Sequence, residues 1–138
     1  MENKFVYKTN SNFESVTYDS DSDSWHFSFT ERIFVFISGF WRLLVSNKVK
    51  FVSTDNGHYF GKENPLDLTY ELPKLLKNKK LIEIQIDKDT SDLILNFSEN
   101  VAVQILISSI GYETFNLKFK DKEYIGLGSS KLEIIDGK

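Results

Sequence analysis

The stretch from residue 81 to residue 119 constrains the fold most, because its apolar residues recur at every second position. Ile82, Ile84 and Ile86 alternate with Glu83, Gln85 and Asp87, and Leu93, Leu95 and Phe97 repeat the period. Val101, Val103, Ile105 and Ile107 carry it on, followed by Phe115, Leu117 and Phe119 around Asn116 and Lys118. A period of two sends successive side chains to opposite faces of a pleated strand, so each segment has one buried and one wetter face. The connectors at residues 88–91 and 98–100 are short, polar and of hairpin length. The pattern predicts an antiparallel β-meander.

The same signal reaches back toward the N-terminus. Residues 5–7 and 15–18 read as short opening strands with Asn10, Ser11 and Asn12 between them. Trp25, Phe27 and Phe29 fall on one face of a strand, with His26 and Ser28 on the other. Residues 33–37 form a continuous apolar run, the mark of a strand covered on both sides, with Gly39 ending it or marking a bulge. Residues 40–45 and 49–52 form a hairpin around Ser46, Asn47 and Lys48. One helix is predicted, at about residues 66–77, from the spacing of Leu68, Leu72, Leu75 and Leu76. Pro73 removes a helical hydrogen bond, so this helix is expected to start near Pro73 or break there. The chain then turns at Asp121 and Lys122, rounds a flexible corner at residues 126–130 and ends in a strand at 132–135. The fold class is α+β and mainly β, an antiparallel meander or roll with one short helix. No repeat or linker divides residues 1–138, so a single domain is expected.

Composition narrows the function. At 138 residues, with 41% hydrophobic and 27% charged residues, the chain can fill a core and is unlike a disordered segment. A net charge of −3 lacks the basic footprint that broad nucleic-acid or anionic-membrane binding needs. There is no cysteine, which excludes disulfides and Cys-ligated zinc. The N-terminus lacks a basic start and long apolar run, and residues 33–45 fall short of the roughly 20 a membrane helix needs. A cytoplasmic protein is expected.

Catalytic and metal motifs are sparse. Asp19, Asp21 and Asp23 resemble the opening of a calcium loop, whose cation wants several converging carboxylate oxygens. Ser24 stands where an EF-hand has glycine, and the flanks read as strands, so the solvated hairpin tip is the better reading. His26 and His58 are the only histidines; Asp55 and His58 offer two ligands on one loop, without a third at a telling spacing. No Gly-x-Ser-x-Gly elbow or dinucleotide loop occurs. The chain reads as no enzyme, with no cofactor and no metal.

Trp41 and Arg42 belong to the residue types enriched at binding hot spots, although Trp41 as core with Arg42 as its outward neighbour is the better reading by a small margin. Tyr112 and Glu113 follow a break after Gly111, from where Glu113 can reach toward Arg42 or toward water. Taken together, Trp41-Arg42-Leu43, Ser53-x-Asp55-x-Gly57-x-x-Phe60-Gly61, Asp92-Leu93-Ile94-Leu95-x-Phe97 and Ser109-x-Gly111-Tyr112-Glu113-x-Phe115 carry a resemblance. The chain resembles small bacterial domains of unknown function that are similar in build to the immunity proteins of polymorphic and contact-dependent toxin systems. The likeness spans roughly the last two-thirds of the chain, a plausible length for one domain core. Phe115 stands where that motif carries Trp. The resemblance implies a cytoplasmic protein that binds a cognate toxin domain, with Trp41, Arg42, Asp55, His58, Tyr59, Tyr112 and Glu113 as partner-contacting residues. It brings no catalytic motif. The rival expectation is a module that binds a small molecule or metal ion in an aromatic-lined pocket; oligomeric state is left open.

Overall fold

A computed structural model describes residues 3–136. Its eleven strands are β1 (Lys4–Asp19), β2 (Ser24–Phe29), β3 (Ile33–Ile37), β4 (Phe40–Val45), β5 (Lys48–Val52), β6 (Lys80–Asp87), β7 (Leu93–Phe97), β8 (Val101–Leu106), β9 (Phe115–Phe119), β10 (Lys122–Leu127) and β11 (Lys131–Asp136). The one α-helix, α1, spans Leu68–Leu76. All strands join one open antiparallel sheet in the order β11-β10-β9-β3-β2-β1-β6-β7-β8-β4-β5. The expected mainly-β meander with a single short helix is the fold observed.

The sheet rolls over on itself at β1. The first half of this strand pairs with β6 and the second with β2, and its register slips between Lys8 and Ser11 and again between Phe13 and Ser15. Such irregularities bend a strand and increase its twist. Strands β2 and β4 stand five places apart in the sheet, which laid flat would separate them by about 24 Å. Their Trp25 and Trp41 rings instead meet edge-on at 5.1 Å between centroids. Phe29 of β2 meets Phe97 of β7 at 5.9 Å, and Tyr7 of β1 meets Phe119 of β9 at 5.4 Å. The two halves therefore face each other across one core.

The inward set is the alternating set read from the sequence at Trp25, Phe27 and Phe29, at Leu93, Leu95 and Phe97, and at Phe115, Leu117 and Phe119, all buried. In β6 it fails at Ile82, which is 42% exposed while Leu81 is buried, because the β6–β7 register slips between Leu81 and Glu83. Helix α1 adds Leu68, Leu72 and Leu76, each fully buried, and packs against β1. Pro73 neither starts nor breaks this helix. It lies inside, and Lys77 N–H still donates to its carbonyl at 3.0 Å. Burial of three leucines in one stripe outweighs one missing hydrogen bond, since leucine burial contributes about 1.5–3 kcal/mol each.

Three other expectations change. Residues 10–12 do not separate two strands; Ser11 is buried opposite Leu81 within the continuous β1. Strand β3 is covered on one side only, because Phe34 is 44% exposed on the outer face. The 126–130 corner is tightly packed rather than flexible. A Cβ on Gly126 would lie 2.2 Å from the Phe115 ring, and one on Gly128 2.4 Å from the Gly111 backbone nitrogen.

Candidate functional site

Antiparallel register brings the start of β4, the end of β5 and the end of β8 to one side of the molecule. Phe40 stands opposite Leu106, and Arg42 opposite Val52. The segments 53–67 and 107–114 therefore leave the sheet at the same end. All seven residues singled out from the sequence lie on these segments or on β4 beside them.

Trp41 is the foundation of this end and is fully buried, so it makes no contact with a partner. Its indole packs edge-on against Trp25 and Phe27, and its backbone N–H donates to Ser53 Oγ at 3.1 Å. Arg42 is half-buried and donates from Nε to Gln104 Oε1 at 2.6 Å, across the β4–β8 ladder. No Arg42–Glu113 ion pair occurs among the described residues.

The 53–67 segment is closed by its own backbone. Ser53–Asp55 form a single 3-10 turn, from which Asn56 N donates to Ser53 O and His58 N to Asp55 O. Gly57 N then donates to Leu66 O, and Leu66 N to His58 O, both at 2.8 Å. Asn56 Oδ1 accepts from Leu68 N at 2.9 Å and Asp67 Oδ1 from Thr69 N at 3.1 Å, so two side chains satisfy orphan donors of α1. The tip turns with Gly57, Phe60 and Gly61 at φ of +87°, +51° and +74°. Left-handed backbone suits glycine and costs a bulky residue about 1–2 kcal/mol. That conformation holds Tyr59 and Phe60 outward, 56% and 63% exposed, with the His58 ring stacked 5.7 Å from Phe60.

The 107–114 bend is pinned from every side. Asp92 Oδ1 accepts from Ile107 N at 2.7 Å where β8 ends. Ser109 Oγ accepts from Gly111 N and Tyr112 N, Ser129 Oγ donates to Ile110 O, and Ser38 Oγ donates to Glu113 O. Thr114 N donates to Gly126 O at 2.7 Å, and Gly128 lets the chain pass against Ile110 and Gly111. The Gly-Tyr-Glu-x-Phe motif thus divides in two. Thr114 and Phe115 are buried, whereas Ile110 is 89% and Tyr112 80% exposed, with Glu113 exposed beside them.

A second feature escaped the sequence reading. On the outer face of β2, β3, β9 and β10 lies a groove of about 1020 Å³ floored by His26, Phe34, Phe36, Asn116, Lys118 and Glu123, with Glu113 also on its lining. Register aligns these side chains, with His26 opposite Phe36, Phe36 opposite Asn116, Phe34 opposite Lys118, and Lys118 opposite Glu123. The available signal was the pair of aromatic residues, Phe34 and Phe36, on the face opposite Ile33, Val35 and Ile37. The outer face of the other half differs. There Glu83 accepts from Lys8 Nζ at 2.5 Å, from Asn96 Nδ2 at 3.2 Å and from Gln85. The Lys8 hydrogen bond is the chief reason that the Glu83 carboxyl sits below its usual range.

The acidic hairpin tip is internally bonded: Asp19 Oδ1 accepts from Asp21 N at 3.0 Å, and Asp23 Oδ1 from Tyr18 OH at 2.7 Å. The Asp23 bond is the main cause that raises the Tyr18 phenol above its ordinary value. Among the described residues no cluster of three or more His, Asp or Glu side chains is placed to hold a metal. No helix among them is long and apolar enough to cross a membrane. Comparison with protein-family models, with curated proteins and with solved structures finds no match.

Proposed function

We propose that this chain is a non-catalytic binding protein, a cytoplasmic bacterial immunity protein that neutralises a cognate toxin domain by direct contact. One observation carries the reading: large apolar side chains stand exposed on backbone that is already fixed, Tyr59 and Phe60 on one segment and Ile110 and Tyr112 on the other. Exposed aromatic and aliphatic groups on ordered loops give an interface contact area at small entropic cost, because little remains to be ordered on binding. Asp55, His58, Glu113 and the half-buried Arg42 supply polar neighbours for such an anchor. Trp41 serves as the support beneath.

The test uses as probe the toxin domain that co-purifies with the tagged chain from its source cells, with affinity measured by calorimetry. Replacing Phe60 and Tyr112 together by Ala is expected to weaken binding at least about 30-fold, the equivalent of about 2 kcal/mol. Unchanged affinity in a variant that melts like the parent would refute the role given to these tips.

The groove over Phe34 and Phe36 favours a second reading, a small-molecule module. Any ligand of the folded state raises its melting temperature. A metabolite that does so for the parent and not for Phe34→Ala would move the assignment to the groove.

A further inference from the structure

Asn56-Gly57 is the only Asn-Gly pair in the sequence. Glycine has no side chain to shield its nitrogen, so this dipeptide is the most open to attack of the backbone nitrogen on the preceding side-chain amide. In that reaction solvent base takes the proton from Gly57 N, and the nitrogen attacks Asn56 Cγ. The N–Cγ bond forms, and the Cγ–Nδ2 bond breaks as Nδ2 takes a proton back from solvent and leaves as ammonia. Water then opens the five-membered imide: at Cγ it yields aspartate, and at the Asn56 backbone carbonyl it yields isoaspartate.

Three features of the closed loop oppose the attack. Asn56 has ψ of 130°, which turns Gly57 N away from the side chain it must reach. The Gly57 N–H is engaged with Leu66 O at 2.8 Å. The Asn56 carboxamide is held through Oδ1 by Leu68 N at 2.9 Å. Each lock belongs to the same segment, and all are released together when that segment opens.

We infer that Asn56-Gly57 is a deamidation site gated by closure of the 56–68 loop, and that its conversion to isoaspartate irreversibly opens the loop. Isoaspartate inserts a methylene into the backbone and shifts the carboxylate, so the bonds to Leu68 N and Leu66 O are lost and the Tyr59–Phe60 tip is set free. The loss of partner binding that follows rests on the proposed function; the chemistry does not.

The experiment incubates the full chain in mildly alkaline buffer, folded and in concentrated urea, and follows amide-to-acid conversion at Asn56 by peptide mass and isoaspartate assay. Hydrogen exchange of the Gly57 amide is measured on the same folded sample. Conversion at Asn56 is expected at least about tenfold slower in the folded chain, with the slowing matching the Gly57 exchange protection. Equal rates in the two samples would overturn the gating. So would conversion concentrated at another asparagine in urea, or slowing unrelated to the exchange protection. A chain that converts as stated yet binds no toxin domain supports this inference and removes the binding reading alone.

Discussion

The loop end and the outer groove both expose aromatic side chains, and they do so by different physics. At the loop end the backbone is specialised: Phe60 stands at φ +51°, and the 107–114 bend is tied to the β6–β7 connection, to β10 and to the β3–β4 connection. The groove has left-handed residues as well, Glu31, Arg32, Lys120 and Asp121, but they belong to its hairpin turns. Phe34, exposed, and Phe36, half-buried, lie on the regular strand β3 and face outward because their neighbours face inward. Exposure that follows from alternation requires nothing beyond a strand. Exposure maintained by strained turns and a closed hydrogen-bond set is costly, and such cost concentrates where a surface has work to perform. That contrast is why the loop end is assigned the partner and the groove the second place.

The sharpest break removes what the loop end stands on. Trp41→Ala empties a fully buried site and is expected to cost about 3–5 kcal/mol in urea unfolding. Gly128→Ala presses a methyl onto the Ile110 and Gly111 backbone and is expected to cost about 1–3 kcal/mol, with amide shifts centred on 107–114. A smaller effect belongs to the face that is neither loop end nor groove. The folded-state pKa of Glu83 lies below its unfolded value, so its stabilisation is present above about pH 4.3, the unfolded value, and is lost as pH falls through the lower folded one. Glu83→Gln should flatten that acid-side loss, by about 1 kcal/mol or less because Lys8 is largely exposed.

The smallest effects separate the two aromatic regions directly. Phe34→Ala, in the groove, should alter stability by less than about 1 kcal/mol and leave the loop-end amides unmoved. Phe60→Gly should also stay within about 0.5 kcal/mol of the parent, because relief of left-handed strain offsets the added freedom of the unfolded chain. Phe60→Val at the same position has no such relief and should be less stable than Phe60→Gly by about 1 kcal/mol or more. If the two variants match, Phe60 carries no strain and the contrast loses its basis.

Much of this was written into local sequence. The alternation at 81–119 placed β6 to β9 and their buried faces, Ile82 excepted, and the leucine spacing placed α1 despite Pro73. The break at Gly111 located the second tip. What stayed illegible depends on distant partners. Ser11 reads as a loop residue because nothing nearby says that β1 continues through a pair of register slips to serve both halves of the roll. Phe34 reads as buried because the outer cover of β3, unlike its inner one, is set by which strands and loops reach it. Gly126 and Gly128 read as flexible because Phe115 and Ile110, the groups that require their bareness, arrive from another strand and another loop. Trp41 stayed ambiguous until β2 was brought against it.

Backbone nitrogen-15 relaxation reads whether the exposed tips are fixed before any partner arrives. Order parameters near 0.85, about the value of rigid strands, are expected for Tyr59, Phe60, Ile110 and Tyr112 in the free protein. Values below about 0.6 at these residues, with the strands remaining rigid, would contradict the account.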